Sequence, residues 1–305
     1  MANRHRQAVQ MLLLGFLAAC LLFGLYVIFV RTAPGQRFDD IAFEGRKATR
    51  LAARRPATFL VHMLTVPSIL IGCLAIAVDT FRRGWWRTGA VALCSVGLTG
   101  LLARLLKGAL GRPSLVDLAY ASSRNSFPSG HSATVVAVLL AAVSACEPSV
   151  RAFLASACAL LCAVYAATLL GSGWHRPSDV LAGICLAVLV VATSTAARLL
   201  CFQEASDRPG NSAWWFEHLA LLVRLGALRP VRMVWFVSAC AVVLTALLQN
   251  PRSNQNHSLL SYLAVVLACC IVSMSAVFAF AEILGSSKSL IVAETETETR
   301  SPEVQ

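Results

Sequence analysis

Two short motifs, each built around a histidine, carry the residues of this sequence that are best suited to chemistry. The first reads FPSGH and ends on His131, and the second reads GWHRPSD and contains His175 and Asp179. A carboxylate four residues after a histidine can hold one imidazole nitrogen and leave the other free as a nucleophile. The motifs therefore indicate nucleophilic or acid–base catalysis, provided that the chain brings them together.

The residues just before His131 are suited to binding an anion. Ser129 and Gly130 stand at the start of an apolar stretch, and a helix N-terminus offers backbone N–H groups and a partial positive charge. Gly130 permits close approach of the backbone to a ligand, and the Ser129 hydroxyl adds a donor. We expect His131 to protonate a departing oxygen as a general acid.

Basic residues accompany both motifs. Lys107 and Arg112 precede the first motif, and Arg176 lies inside the second. Such cations stabilise the charge of a phosphoryl group in the transition state, although each one alone is also compatible with an ordinary charge at a membrane boundary. No metal site and no cofactor are predicted. The predicted catalytic residues are His175, His131 and Asp179, and the predicted phosphate-binding residues are Lys107, Arg112, Ser129, Gly130 and Arg176.

Apolar stretches of bilayer length make up most of the remaining chain. Of the 305 residues, 57% are hydrophobic and only 13% are charged, which excludes a soluble domain of this size. The pattern predicts an all-α polytopic membrane bundle, since a crossing takes about 20 residues. We predict eight spans, at residues 8–30, 58–79, 88–106, 132–146, 152–170, 179–200, 231–249 and 258–284.

The two histidine motifs are expected to lie at the same membrane face. The apolar stretches 133–145 and 153–170 separate them and are joined by a short polar turn. Two crossings return the chain to the side that it left. The basic segment 107–113 lies in the loop that contains His131, so this parity argument brings it to the same boundary as His175.

The order and separation of these motifs resemble those of the type 2 phosphatidic acid phosphatase superfamily, relatives of the vanadium haloperoxidases. The family signature runs K-x6-R-P, then P-S-G-H, then S-R-x5-H-x3-D. Residues 128–131 match the second motif fully, and His175 with Asp179 matches the end of the third. The resemblance covers about residues 88–200. It implies a six-helix core, metal-independent hydrolysis through a phosphohistidine on His175, and leaving-group protonation by His131.

Two arginines of the family signature are absent from their positions. Counting from Lys107, the first falls on Ser114, whereas Arg112 lies two residues early. Counting back from His175, the second falls on Leu169. Loss of one preorganised donor costs roughly 3 kcal/mol of transition-state stabilisation. The candidate replacements are Arg112, Arg124 and Arg176.

The resemblance implies an integral-membrane phosphatase acting on a lipid phosphate or diphosphate, such as a polyprenyl phosphate, phosphatidate or phosphatidylglycerophosphate. Phosphotransfer from the same phosphohistidine to another acceptor is a close alternative. A non-catalytic lipid-phosphate binder or transporter is the alternative from another class. The net charge of +11 lies mostly in the loops, which favours anionic headgroups over nucleic acid as its partner. Formation of a homo-oligomer is left open.

The predicted organisation has four parts. They are a six-span phosphatase-like core at residues 1–200, an amphipathic surface linker at 201–230, two extra transmembrane helices within 231–286, and a disordered tail at 287–305. The loop at 31–56 is polar, and its basic second half is interpreted as an interfacial helix. Loop charges outside the site favour cytoplasmic termini and an outward-facing site, and the Ala, Leu and Arg bias favours a bacterial plasma membrane.

Overall fold

A computed structural model describes residues 2–46, 54–116, 125–202 and 255–285, and every regular element within these ranges is a helix. Six of the described segments are long and apolar enough to cross a membrane. The helices are α1 (Ala2–Leu25, continued by a π-helical turn at Tyr26–Val30), α2 (Ala33–Gly45), α3 (Arg54–Arg82), α4 (Trp86–Ala109), α5 (Gly130–Ala145), α6 (Arg151–Ser172), α7 (Pro177–Cys201) and α8 (Gln255–Gly285).

The prediction of an all-α membrane bundle is confirmed. The first six predicted spans correspond to α1, α3, α4, α5, α6 and α7, and the eighth corresponds to α8. The predicted seventh span, the surface linker and the tail lie outside the described residues, apart from Cys201 and Phe202.

The short helix α5 lies inside the bundle. Its 16 residues give a length of about 24 Å, which is less than the hydrocarbon thickness of about 30 Å. Helices α3, α4, α6 and α7 pack around it, and Ala137, Leu140 and Ala141 are fully buried. Because its neighbours rather than lipid surround it, the N-terminus of α5 can open into a polar site within the protein.

Close contact between α5 and α7 joins the two histidine motifs. A side chain at Gly183 would collide with the Ser132 hydroxyl and would come within 2.6 Å of the Ser129 carbonyl oxygen. The Ser132 hydroxyl donates to the Val180 carbonyl at 3.2 Å, and the Ser129 N–H donates to the Asp179 carbonyl at 2.9 Å. Glycine at this crossing therefore allows the backbones carrying the two motifs to be hydrogen-bonded to each other.

The polar loop at residues 31–56 contains a helix that was not predicted from the sequence. Its acidic first half forms the helix α2, while 47–53 of its basic second half lie outside the described residues. The Thr32 side chain accepts from the Gly35 N–H at 3.1 Å and so caps α2, and Pro34 stands in the first turn, where it needs no N–H. Helix α2 packs against α8 and the start of α7, which brings its acidic residues toward the second motif.

Candidate active site

The two motif histidines contact each other directly. His131 is the second residue of α5, and His175 lies two residues before α7 begins. His131 Nδ1 lies 3.3 Å from His175 Nε2, within hydrogen-bonding distance. Gly173 makes this possible, because its left-handed backbone (φ 72°) ends α6 and turns the chain toward α7. As parity predicts, both histidines lie at the same end of the bundle.

Asp179 stands behind His175 in the first turn of α7 and is fully buried. Its Oδ2 accepts hydrogen bonds from Ser126 Oγ at 2.5 Å and from the Arg176 backbone N–H at 3.1 Å. The same oxygen lies 3.9 Å from His175 Nδ1, which is longer than a hydrogen bond. Nδ1 itself is buried without a hydrogen-bond partner among the described residues. Asp179 Oδ2 thus lies on the Nδ1 side of His175, and catalytic hydrogen bonds are often long before substrate binds.

Arg112 bridges two buried carboxylates. Its Nη2 lies 3.1 Å from Asp39 Oδ2 and its Nη1 lies 3.5 Å from Asp179 Oδ1. Only 8% of the Arg112 side chain is exposed, and neither carboxylate is accessible. These two contacts leave other guanidinium N–H donors available for a ligand, since a guanidinium has five. The arrangement therefore holds a guanidinium next to Asp179 while some of its N–H donors remain unused by the two carboxylates.

Asp39 joins α2 to the start of α7. Its Oδ1 accepts from the Ser178 backbone N–H at 3.1 Å, and its Oδ2 accepts from the Ser178 hydroxyl at 2.6 Å. Burial raises the pKa of Asp39 to about 6; the charge of Asp179 adds to the rise, while Arg112 and the Ser178 donors oppose it. Asp39 is therefore ionised above that pH and pairs with Arg112 as a carboxylate.

Arg176 makes a second arginine–carboxylate pair. Its Nε donates to Asp40 Oδ1 at 2.7 Å, and its guanidinium carbon lies 5.8 Å from the centre of the Phe43 ring. Asp40 and Phe43 both belong to α2, so this helix holds Arg176 from one side. The Arg176 guanidinium is consequently bound to Asp40 and lies near Phe43, at the same end of the bundle as the histidines.

The remaining predicted phosphate-binding residues surround the start of α5 and the end of α4. Ser129 is fully buried, and its oxygen accepts from the Ser132 N–H at 3.3 Å as the cap of α5. Apart from the neighbouring residues and the backbone of its own helix, no atom lies within 4 Å of the position that a Cβ would take at Gly130. Lys107 lies half-buried in the last turn of α4, and its ammonium makes no hydrogen bond or ion pair with the described residues. There is thus open space at the α5 N-terminus beside Gly130, and an uncommitted cation in the last turn of α4.

The structure distinguishes among the candidate replacements for the absent arginines. Leu169, which stands at one of the family positions, is fully buried in the core of the bundle. Arg112 contacts Asp179 directly, and Arg176 is bound to Asp40. Arg124 lies outside the described residues. Of the two described candidates, Arg112 is therefore the one whose guanidinium contacts the carboxylate of the histidine motif.

Several residues around the site were not singled out from the sequence. Asp39 and Asp40 were visible as part of a polar loop, but nothing in their spacing linked them to motifs more than 70 residues away. The Thr32 and Pro34 start signal was sufficient to place a helix there. Trp174 lies inside the second motif, and its ring packs edge-on against His131 at 5.3 Å between centroids. Ser126 directly precedes the first motif.

Within the described ranges, no three histidine, cysteine, aspartate or glutamate side chains are grouped as a metal-binding set. The chemistry available at this end of the bundle comes from two imidazoles, one adjacent carboxylate and arginine guanidinium groups. These groups suit transfer of an anionic phosphoryl group to nitrogen, with protonation of the departing oxygen.

Comparison with known proteins identifies the segment that carries these motifs. Residues 88–201 match the family model described as the PAP2 superfamily. A lipid A 1-phosphatase from Rhizobium johnstonii is 37% identical over 135 residues, which cover 39% of this chain and 52% of that protein. The chain thus spans about half the length of this curated relative. No solved structure is significantly similar to the chain.

Proposed function

Because the chain belongs to the PAP2 superfamily through residues 88–201, we propose that it is an integral-membrane phosphatase that hydrolyses a lipid phosphate or diphosphate. The observation that carries the proposal is the 3.3 Å contact between His131 Nδ1 and His175 Nε2. It joins a nucleophile and an acid from motifs that are 44 residues apart. The substrate's tail stays in lipid while its phosphate reaches this boundary.

The first chemical step forms a phosphohistidine. His175 Nε2 attacks phosphorus, the bond between phosphorus and the lipid oxygen breaks, and that oxygen takes a proton from His131. Asp179 supports the step by holding the Nδ1 side of His175, so that Nε2 keeps its lone pair. Arg112 and Lys107 stabilise the charge on the phosphoryl oxygens as it develops.

The second step regenerates the enzyme. A water molecule gives a proton to the now neutral His131 while its oxygen attacks the phosphohistidine, and the bond between phosphorus and His175 Nε2 breaks. Inorganic phosphate then leaves, and both histidines return to their starting states. The same two residues therefore serve in opposite roles in the two half-reactions.

Substrate binding has to open the contact between the two histidines. An in-line arrangement places phosphorus about 3 Å from Nε2 and the leaving oxygen within hydrogen-bonding reach of His131, which separates the two nitrogens by roughly 7 Å. The resting separation is 3.3 Å. We infer that the His131 ring turns away from His175, because His175 is the more deeply buried of the two.

The substrate class is proposed from the site and from the relative together. The relative is named as a lipid A 1-phosphatase, so lipid A joins polyprenyl phosphates and phosphatidate as a candidate. The test is release of inorganic phosphate by purified protein from a panel of these lipids. We expect turnover of at least one lipid phosphate and little turnover of a water-soluble phosphomonoester.

Chelation is expected to leave activity intact. The proposed mechanism uses histidine as nucleophile and arginine as counter-charge, so EDTA should not lower phosphate release. Orthovanadate should inhibit competitively, because it adopts the five-coordinate geometry of the phosphoryl transition state. A magnesium-dependent phosphatase assayed in parallel is the control. Loss of activity in EDTA that magnesium restores would rule out the proposed mechanism.

The site is expected to face the exterior. Ser114 is exposed in the segment after α4, and Ser149 lies in the turn between α5 and α6, at the other end of the bundle. In a background without accessible native cysteines, an impermeant thiol reagent should label Ser114→Cys in intact cells and spare Ser149→Cys. Permeabilised cells, in which both should react, provide the control. The opposite labelling pattern would assign the site to the cytoplasm.

A non-catalytic lipid-phosphate binder or transporter is the second candidate function. It is favoured by Leu169 at a family arginine position and by the pairing of Arg112 and Arg176 with carboxylates. The two functions differ in turnover. Saturable binding of a lipid phosphate without release of phosphate from any member of the panel would favour the binder.

A further inference from the structure

Helix α2 lies outside the segment that matches the family, yet it contributes a buried acid to the site. The matched segment is 88–201, whereas Asp39 comes from a helix that precedes it by more than 40 residues. Asp39 has no accessible surface. Burying a carboxylate costs free energy unless it is paired and hydrogen-bonded. The partners of Asp39 therefore indicate its role in the site.

Asp39 links two separate parts of the site. One oxygen accepts from the Ser178 N–H, and the other accepts both the Ser178 hydroxyl at 2.6 Å and Arg112 Nη2 at 3.1 Å. Ser178 stands next to Asp179, at the N-terminus of α7. Asp39 thereby ties the segment that carries Arg112 to the helix start that carries Asp179.

This link determines where the Arg112 guanidinium lies. The contact of Arg112 with Asp179 is long, at 3.5 Å, and its contact with Asp39 is shorter, at 3.1 Å. Arg112 follows α4 in a segment without regular structure, so its side chain depends on partners for a fixed position. A misplacement of about 1 Å in a catalytic group costs up to 100-fold in rate.

We propose that Asp39 is a positioning residue, which holds the Arg112 guanidinium and the first turn of α7 in the geometry that binds the transferring phosphoryl group. Asp39 does not touch the phosphate; it acts through Arg112. The inference rests on the proposed phosphatase function and extends it, because it makes α2 part of the working site.

The test is Asp39→Asn, which keeps the shape of the side chain and one oxygen that can accept from the Ser178 N–H. It removes the charge and replaces the oxygen that accepts from the Ser178 hydroxyl and Arg112 by an NH₂ group. We expect kcat to fall about 10- to 100-fold, with a smaller change in KM, in a protein that is less stable because a buried ion pair is weakened but still folded at the assay temperature. Asp79→Asn is the matched control. Asp79 pairs with exposed Arg83 near the end of α3, and its replacement should leave kcat unchanged.

Coupling to Arg112 separates positioning from a general structural role. If Asp39 acts through Arg112, then Asp39→Asn combined with Arg112→Ala should be no slower than Arg112→Ala alone, within about twofold. Independent effects would instead multiply. Unchanged kcat in Asp39→Asn, or multiplication of the two losses, would overturn the inference.

Binding of orthovanadate tests the role of Asp39 even if the protein has no phosphatase activity. If the wild type releases no phosphate from any lipid, the phosphatase proposal fails, and orthovanadate-induced thermal shift becomes the readout. A shift in wild type that is reduced in Asp39→Asn and retained in Asp79→Asn supports positioning of the oxyanion-binding Arg112. Equal shifts in wild type and Asp39→Asn, including no shift in either, would overturn it.

Discussion

Replacing His175 by alanine is expected to abolish release of phosphate from the lipid substrate. In the proposed mechanism this side chain supplies the nitrogen that attacks phosphorus, and its Nδ1 lies 3.9 Å from the buried Asp179 carboxylate. His131 lies on the other side of the contact, 3.3 Å from Nε2, and the proposed mechanism gives it the role of acid. The measurement is phosphate release by purified His175→Ala at the substrate concentration that saturates wild type.

The control for this variant is folding of the detergent-solubilised protein. Truncation of a buried side chain costs stability, so the elution profile and thermal midpoint of His175→Ala must show a folded protein before its activity is interpreted. Asp179→Asn should also reduce turnover strongly, since it weakens control of the His175 tautomer and the hold on Arg112. Wild-type turnover by folded His175→Ala would contradict a phosphohistidine mechanism.

The intermediate offers a direct form of the same prediction. Rapid quenching of wild type with a labelled lipid phosphate should trap phosphate on protein in an acid-labile, base-stable bond to nitrogen. His175→Ala should trap none, while His131→Ala should accumulate label if its loss slows hydrolysis of the intermediate more than formation. Equal labelling of wild type and His175→Ala would assign the nucleophile elsewhere.

Arg112→Ala is expected to lower kcat by about 100-fold or more, the usual scale for removal of one preorganised donor from a transition-state site. Arg112 is held between Asp39 and Asp179, and in the proposed mechanism its interaction with the phosphoryl oxygens strengthens as charge develops. KM should therefore change less than kcat. The measurement is steady-state kinetics with one short-chain lipid phosphate.

Three further arginine variants show whether this effect is specific. Arg104→Ala removes an exposed charge from the same end of α4 and should behave as wild type. Arg176→Ala should have an intermediate effect, because Arg176 is committed to Asp40, and Arg124→Ala should have the smallest effect of the three candidate replacements. If Arg112→Ala, Arg176→Ala and Arg124→Ala all stay within about twofold of wild-type kcat, none of them replaces the absent family arginines.

Removal of Arg112 also leaves two buried carboxylates without their shared cation. Breaking a buried ion pair by removing one partner typically costs about 3–5 kcal/mol, so Arg112→Ala is expected to lower the thermal midpoint as well. Arg112→Lys is the matched variant. It keeps the charge but loses the planar fork that reaches both Asp39 and Asp179, and we expect it to recover more stability than activity.

The arrangement of the helices was largely readable from the sequence. Apolar stretches of bilayer length predicted the spans, and the number of crossings between His131 and His175 predicted that they share a membrane face. Both inferences depend on local composition and on counting, because the bilayer imposes a length on every crossing. The contact between the two histidines follows from parity together with the close α5–α7 crossing at Gly183.

The contribution of α2 could not be predicted in the same way. Asp39 and Asp40 looked like ordinary charges in a polar loop, and the fold turned them into partners for Arg112 and Arg176. Burial of this kind depends on how α2 packs against α7 and α8. Packing between segments distant in sequence leaves no periodic signal within either segment.

The amino-acid sequence was enough to predict the membrane-helical class and the motif histidines with their carboxylate, and to show that arginine is absent from the family positions. These properties reside in residue identity, short spacing and segment length. The folded arrangement was needed to find that Arg112 lies between two buried carboxylates, whereas Leu169 lies in the core. A side chain's partners are set by long-range packing and by the cost of burying unpaired charge, and neither is encoded in the spacing of one motif.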